Sequence, residues 1–200
     1  WITAEYQMHP RANPRRESRD GRGGKGLSGR TQEIQRLIGR ALRAAVVLER
    51  LGERQIVVDC DVLEADGGTR TASVTGGFLA LALAIQSLTR QGALTSPVLR
   101  APVAAISVGL LDDQRLLDLA YVEDSKARVD LNVVATEQGD IIEVQGTAEG
   151  SPVPRTDVDA MIDLGLAGVR ELCALQRAVL LRSEVVLENL LVKAPASAAS

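Results

Sequence analysis

The residues best suited to chemistry stand where a predicted strand gives way to a predicted helix, in Asp66-Gly67-Gly68-Thr69-Arg70. The start of a helix has unpaired backbone N–H groups and the positive end of the dipole, so it attracts anions. Gly68 lets an anion approach the backbone, Thr69 adds a hydroxyl donor, and Arg70 adds a guanidinium fork that matches phosphate oxygens. The turn therefore fits one phosphate. It also fits a plain capped turn in which Arg70 is a surface charge.

Spacing excludes the two commonest nucleotide motifs. A P-loop requires Gly-x-x-x-x-Gly-Lys-Ser/Thr and a dinucleotide loop requires Gly-x-Gly-x-x-Gly, and the glycine turn matches neither pattern. A nucleotide-binding ATPase is therefore not indicated.

Two aspartates form a second candidate group. Asp124 and Asp130 flank a short predicted loop between strands, which places both carboxylates at one rim. Paired carboxylates can hold Mg²⁺ or shift one another's pKa for acid chemistry. The alternative is that both are loop carboxylates in solvent.

A basic segment stands out in a chain whose net charge is −3. Residues 11–30 contain six arginines and one lysine against Glu17 and Asp20. Because residues 10–29 are rich in Pro, Gly, Arg and Ser with no apolar period, they predict a long mobile loop. Its arginines are suited to a phosphate backbone, although no aromatic residues are interleaved to stack bases. The alternative is a solvated charged loop.

The elements that must position these groups follow from apolar periodicity. Ile56, Val58, Cys60 and Val62 alternate with polar residues, which predicts a strand with one buried face. Helical spacing predicts helices over 72–91, over 31–51 with Thr31 as cap and Gly52 as stop, and after a cap at Thr156. Further strands are predicted at 103–109, 131–136 and 141–146 as antiparallel hairpins, with a turn at Asp112-Asp113.

Composition limits the class of protein. Two hundred residues with 46% hydrophobic but 2% aromatic residues suit one domain whose core of Ala, Val, Leu and Ile packs helices closely on sheet. Cys60 and Cys173 lie in apolar contexts without metal spacing, so a reducing cytoplasm is the simplest location. We expect no apolar run to reach the length of a membrane span, and therefore no membrane partner.

Several ordered blocks, taken together, resemble the bacterial RNase PH family from Trp1 to about Arg182. The blocks are Trp1-Ile2-Thr3-Ala4-Glu5-Tyr6, Ser28-Gly29-Arg30-Thr31-Gln32-Glu33-Ile34, Asp59-Cys60-Asp61-Val62-Leu63, Ala65-Asp66-Gly67-Gly68-Thr69-Arg70-Thr71-Ala72, Tyr121-Val122-Glu123-Asp124-Ser125 and Val144-Gln145-Gly146-Thr147-Ala148-Glu149-Gly150. The resemblance implies an α/β (α+β) RNase PH fold, ribosomal protein S5 domain 2-like, with two sheet-and-helix layers. It implies one domain over 1–182 and a C-terminal tail over 183–200.

The same resemblance implies a function. Members of the family are phosphate-dependent 3′ to 5′ exoribonucleases that trim tRNA precursors and assemble as a hexamer, a trimer of dimers. By that likeness Arg30, Gly68, Thr69 and Arg70 would hold inorganic phosphate, and Asp124 and Asp130 would serve Mg²⁺ and catalysis. The RNA end would be guided by Arg11, Arg16 and Arg19. The alternative is a non-catalytic RNA-binding or scaffold subunit of an exosome-like ring, whose signature is loss of these arginines or aspartates.

One departure from the family concerns the start of the chain. Family members carry strands before the tryptophan that matches Trp1, and those strands complete the first sheet. We therefore expect this chain to be incomplete at its N-terminal side, because the sheet would otherwise have an exposed edge.

Overall fold

The computed structural model describes residues 1–193, which form two sheets and their covering helices. The strands are β1 (Ile2–Met8), β2 (Ile56–Val62), β3 (Val103–Leu111), β4 (Gln114–Leu117), β5 (Val129–Thr136) and β6 (Ile141–Ala148). The helices are α1 (Gly29–Ala44), α2 (Leu48–Leu51), α3 (Thr69–Arg90), α4 (Tyr121–Asp124) and α5 (Arg155–Arg182), followed by a 3₁₀ turn over Leu187–Asn189. The predicted mixed α/β fold with two sheet-and-helix layers is confirmed.

The first layer is a parallel pair of strands. Strands β1 and β2 pair from Ile2 opposite Ile56 to Met8 opposite Val62. Their alternation matches the prediction, since Val58 is buried while its neighbours Val57 and Asp59 are exposed. Helix α1 lies against β1 and helix α3 against β2, each through a stripe of aliphatic residues.

The second layer is an antiparallel sheet in the order β4-β3-β5-β6. The predicted hairpins are confirmed, and Asp112 makes the β3–β4 turn with a φ of 49°. Strand β3 is buried along nearly its whole length because α3 packs on one face of the sheet and α5 on the other. Helix α3 therefore lies between the two layers and carries its N-terminus to a point where both meet.

Three helix boundaries differ from the predicted ones. Ser28, not Thr31, caps α1, because the Ser28 hydroxyl accepts a hydrogen bond from the Thr31 N–H at 3.2 Å while Thr31 lies within the first turn. The same helix ends at Ala44, and the separate short helix α2 precedes Gly52. Helix α5 begins at Arg155 after Pro154, so Thr156 is inside the helix and does not cap it.

Residues after the last helix pack back onto the first layer. Val185, Leu187 and Leu190 are buried in the same core cluster as the apolar faces of α1 and α3. The Leu190 carbonyl accepts hydrogen bonds from the N–H groups of Val98 and Leu99. The part of the predicted tail from 194 to 200 lies outside the described residues.

Helix α3 is long and apolar enough to cross a membrane by length and composition alone. The expectation that no apolar run reaches that length is therefore wrong for this segment. Its apolar residues are used in the core instead, since Phe78, Leu81 and Ile85 are almost fully buried against the neighbouring elements.

Candidate active site

The glycine turn leads directly into α3, as predicted. Gly68 is the residue before the helix and has a φ of 68°, in the left-handed region that glycine adopts without strain. Among the described residues, no side chain caps this helix. The first backbone N–H groups of α3 therefore remain available to an anion.

Gly67 holds the turn against the segment that follows β4. A Cβ atom at Gly67 would lie 1.9 Å from the carbonyl oxygen of Leu119, so only glycine fits there. On the other side of the contact, the Asp66 carboxylate accepts a hydrogen bond from the Tyr121 N–H at 2.8 Å. The turn and residues 119–121 therefore form one packed unit at the start of α3.

Polar partners fix the direction of the Thr69 and Arg70 side chains. The Arg70 guanidinium donates to the Gln145 side-chain oxygen at 3.2 Å and lies 3.5 Å from the Glu33 carboxylate. Gln145 in turn donates to Glu33 at 2.9 Å. Thr69 and Tyr6 share a hydroxyl hydrogen bond of 2.9 Å. Both site side chains are thus held by residues distant in sequence.

One cavity of about 530 Å³ collects all the residues predicted for phosphate and catalysis. Its lining includes Arg30, Gly68, Thr69, Arg70, Asp124 and Asp130. Arg30 reaches the cavity from the first turn of α1, whereas the sequence placed it just before that helix. The structure therefore brings together a helix N-terminus, two arginines and two carboxylates that are up to 100 residues apart in sequence.

The two aspartates reach the cavity from different elements than predicted. Asp124 is the last residue of the short helix α4, and Asp130 is within β5, so the pair does not flank a loop between two strands. Burial raises the pKa of Asp130 above its ordinary value, and the nearby Asp124 carboxylate raises it further, while Arg70 lowers it. The protonation of Asp130 therefore depends on the charges of both Asp124 and Arg70.

The donor set at this rim fits a magnesium ion. Among residues 1–193 there is no cluster of three His, Cys, Asp or Glu side chains that could hold a metal. Mg²⁺ needs fewer protein ligands, because it is commonly held by one or two carboxylates together with water and substrate phosphates. Asp124 and Asp130 supply two oxygen-donor groups whose mutual repulsion a cation would offset.

The basic loop lies beside this cavity. A second cavity of about 550 Å³ is lined by Arg19, Arg22, Lys25 and Arg30, so Arg30 borders both spaces. The predicted RNA-binding residues Arg11, Arg16 and Arg19 are exposed and line no part of the first cavity. Arg19 forms an ion pair with Asp61 of β2 at 3.0 Å.

The C-terminal end of the loop is anchored by Asp20. Its carboxylate accepts hydrogen bonds from the Ser28 N–H at 2.8 Å and the Gly21 N–H at 3.0 Å. Hydrogen bonds from Thr31, and then from Ser28, lower the pKa of Asp20 to about 2. This acidic residue of the basic segment is thus engaged in holding the loop to α1.

Several residues of the cavity were not predicted. Ser107 and Asn132 are buried polar side chains on β3 and β5 that line it, and Asp66 and Glu149 lie at its rim. A signal for the first two was present, because Ser107 is the one polar residue of β3 and Asn132 stands between the buried apolar residues Leu131 and Val133 of β5. A buried polar side chain needs a partner or a ligand.

Comparisons with known proteins identify one family for both halves of the chain. The 3′ exoribonuclease family, domain 1, matches residues 1–85, and domain 2 of the same family matches residues 101–168. The first match contains the glycine turn, and the second contains both aspartates.

The close relatives include ribonuclease PH from three organisms. The chain is 55% identical over 180 residues to ribonuclease PH of Corynebacterium glutamicum (strain R), covering 90% of this chain and 73% of the relative. It is 54% identical over 180 residues to ribonuclease PH of Crocosphaera subtropica, covering 90% of this chain and 74% of the relative. Ribonuclease PH of Maricaulis maris is 54% identical over 180 residues, with 75% of its length covered.

A solved structure supports the fold. The crystal structure of rice Rrp46 superposes with a TM-score of 0.67 at 17% identity, covering 90% of this chain and 73% of that one. Because both family domains match in order and the relatives are matched over about three quarters of their length, this chain belongs to the 3′ exoribonuclease family, of the ribonuclease PH type.

Proposed function

We propose that the chain is a phosphorolytic 3′–5′ exoribonuclease that trims the 3′ ends of tRNA precursors with inorganic phosphate as co-substrate. The observation that carries the proposal is the single cavity that joins an anion-binding helix start to a pair of carboxylates. Its lining includes two blocks, around Gly68 and around Asp124, through which the sequence resembles its ribonuclease PH relatives.

In this proposal Arg30, Thr69, Arg70 and the Gly68 backbone hold the phosphate. Two guanidinium groups and uncapped N–H groups supply charge-assisted hydrogen bonds to its oxygens. An oxygen of the bound phosphate attacks the phosphorus of the last phosphodiester bond. The bond to the leaving 3′ oxygen breaks, a carboxyl group of the site or a bound water protonates that oxygen, and a nucleoside diphosphate is released.

Asp124 and Asp130 are the proposed catalytic and metal-binding residues. They would hold Mg²⁺, which offsets negative charge on the transferring phosphoryl group when bound. The two carboxylates line the same cavity as the proposed phosphate arginines. Asp130 must be ionised to hold the cation, and because its pKa is raised it loses this charge sooner than an ordinary aspartate as the pH falls.

The remaining proposals concern the RNA and the assembly. Arg11, Arg16 and Arg19 collect backbone phosphates of the RNA on the exposed loop, which stays mobile until RNA binds. Residues 1–182 act as one domain, because the core cluster contains buried residues of both family-matched halves, such as Ile38 and Val134. Residues 183–193, predicted as part of a tail, belong to the same domain, because Val185, Leu187 and Leu190 are buried in that cluster. The protein works in the cytoplasm as a hexamer, a trimer of dimers.

A non-catalytic scaffold subunit is less well supported. That alternative predicts loss of the phosphate arginines or the aspartates, and all of them are present and line one cavity. Likeness to rice Rrp46 concerns the fold alone at 17% identity.

The test is release of nucleoside diphosphate from a tRNA with a 3′ extension, measured against phosphate concentration. Arg70→Ala and Arg30→Ala should each raise the phosphate concentration needed for half-maximal rate, with RNA binding little changed. Arg36→Ala, which removes an exposed arginine of the same α1 helix as Arg30, is the matched control. Release that needs no phosphate would refute the function, and unchanged phosphate saturation in both variants would refute the site.

A further inference from the structure

A row of polar side chains crosses the second sheet beneath the cavity. Ser107 of β3 is paired in register with Asn132 of β5, which is paired with Gln145 of β6. Residues directly opposite one another on neighbouring strands project from the same face of a sheet. The three side chains therefore form one polar row across three strands, next to Asp130 on the same face of β5.

The ends of this row have partners. The Ser107 hydroxyl accepts a hydrogen bond from the Leu119 N–H at 3.1 Å, which ties β3 to the segment packed on Gly67. Gln145 is engaged with Arg70 and Glu33. Both side chains, Ser107 and Gln145, therefore have hydrogen-bond partners within the protein.

Asn132, the middle residue of the row, differs from its two neighbours in its hydrogen bonding. Its side chain is buried, with 8% relative exposure, and it lines the cavity between Asp130 and Ser107. Within residues 1–193 its amide has no hydrogen-bond partner, yet it is not among the fully enclosed side-chain groups that lack one, which belong to Gln7 and Gln176. Its two N–H donors and its acceptor oxygen are therefore open to the cavity and available to a ligand there. The open side of the amide is the cavity itself.

We propose that Asn132 is a further substrate-contacting residue, whose side-chain Nδ2 donates a hydrogen bond to an oxygen of the bound inorganic phosphate. This inference rests on the proposed phosphorolytic function. It adds a donor at the floor of the site, where the other donors come from α1 and the start of α3.

The test compares Asn132→Ala with Thr136→Ala, which truncates a polar side chain on the same strand but outside the cavity. Loss of a hydrogen bond to a charged group should lower kcat/KM for phosphate about 10- to 100-fold in Asn132→Ala. KM for the RNA should change less than twofold. The melting temperature should change little, because the Asn132 amide faces the cavity. Thr136→Ala should leave phosphate use unchanged.

Asn132→Asp provides a second variant of nearly the same shape. It replaces the two donors by an acceptor-only carboxylate beside Asp124 and Asp130, so phosphate use should fall further than in Asn132→Ala. A large drop in melting temperature in both variants would assign Asn132 a structural role and overturn the inference.

Arg70→Ala, measured in parallel, separates the two proposals. If Arg70→Ala loses phosphate affinity while both Asn132 variants saturate normally with phosphate, only the role of Asn132 is wrong. If the unmodified chain releases no nucleoside diphosphate in a phosphate-dependent manner, the proposed function fails and this inference fails with it.

Discussion

Arg70 shows how single residues of the site are prepared before any ligand arrives. Its guanidinium is about four-fifths buried and is held by the neutral Gln145 at 3.2 Å and the acidic Glu33 at 3.5 Å. These contacts restrict the side chain to one region, which lowers the entropy lost when it binds an anion. Because the Glu33 contact is long, the guanidinium keeps donors for a phosphate.

The acidic pair can be tested by isosteric substitution. Asp124→Asn and Asp130→Asn should each reduce turnover at least about 100-fold, because each removes a charge that would balance a bound cation without adding bulk. RNA binding, measured by filter retention, should persist. Asp113→Asn, in the exposed β3–β4 turn, serves as the control. Near-normal turnover in either site variant would mean that the aspartates have no role in catalysis or metal binding.

The pH dependence of activity should report on Asp130. Glu149 lies at the rim of the cavity and contributes to raising the pKa of Asp130. Removing that like charge in Glu149→Gln lowers the pKa, so the charged carboxylate persists to lower pH. The acid limb of the rate profile should therefore move to lower pH, while the exposed Glu53→Gln should not move it. An acid limb that stays in place or moves upward in Glu149→Gln would contradict this assignment.

At the scale of elements, the site depends on how the glycine turn docks. Helix α3 supplies the N–H groups, but the direction of its first turn is set by contact between Gly67 and the Leu119 carbonyl. That contact is supported by the Ser107 hydroxyl, which binds the Leu119 N–H. A change at the interface should therefore disturb phosphate binding without touching a phosphate ligand.

Gly67→Ala tests this docking. The added methyl group would meet a backbone carbonyl that cannot move freely, so we expect a loss of about 1–3 kcal/mol in unfolding free energy and weaker phosphate use. Gly76→Ala is the matched control, because nothing lies within 4 Å of a Cβ at that helical position. That substitution should stabilise the protein by about 0.5–1 kcal/mol. Thermal unfolding and phosphate saturation are measured for both variants. If Gly67→Ala changes neither stability nor phosphate use, the proposed role of the Gly67–Leu119 contact is wrong.

The basic loop is a second element whose role can be separated from the cavity. Substituting both Arg16 and Arg19 by Ala should weaken tRNA binding and make it less sensitive to salt. The slope of log affinity against log salt should fall by about 0.7 for each RNA phosphate that the variant no longer neutralises. Cleavage of a very short oligonucleotide, which does not reach the loop, should change little.

The control for the loop is the double variant Arg155→Ala/Arg182→Ala, which removes equal charge at the two ends of α5. It should leave tRNA binding and its salt dependence unchanged. Equal losses on tRNA and on the short oligonucleotide in the Arg16 and Arg19 variant would mean that these arginines act at the reaction centre or in assembly.

At the scale of the whole molecule, one core joins the two layers. The largest cluster of buried side chains contains residues of β1, α1 and α3 together with Val103, Val134 and Leu180 from the second layer. Residues after α5 close this core through Val185, Leu187 and Leu190. The position of α3, and with it the anion site, therefore depends on contacts from the far end of the described chain.

Leu187→Ala should show this dependence. Removing a side chain that is 2% exposed leaves a cavity, so we expect a loss of about 2–5 kcal/mol in unfolding free energy. Leu181→Ala removes the same atoms from a side chain that is 66% exposed and should change stability by less than about 0.5 kcal/mol. Denaturant unfolding of the two variants measures the difference. Equal effects would show that the C-terminal segment does not close the core.

The sequence by itself determined the elements and the chemistry of this protein. Alternation in β2, the glycine turn and the helical spacing after it are local patterns, because they reflect backbone geometry over a few residues. The blocks shared with RNase PH likewise pointed to the phosphate and acidic residues. Local rules were weaker at the helix ends, where Ser28 and Pro154 begin the helices rather than Thr31 and Thr156.

Only the tertiary structure decided which of these residues meet. Arg30, Arg70 and Asp130 share a cavity because α1, α3 and β5 converge there, and no local pattern encodes that distance. The same holds for Arg70 with Gln145, for Gly67 with Leu119, and for the placement of Asp130 within a strand. The sequence shows that Asn132 is polar, but only the packing of the strands and helices shows that its amide faces the cavity. Long-range packing controls such contacts, since the partners lie far apart along the chain and meet only when the core forms.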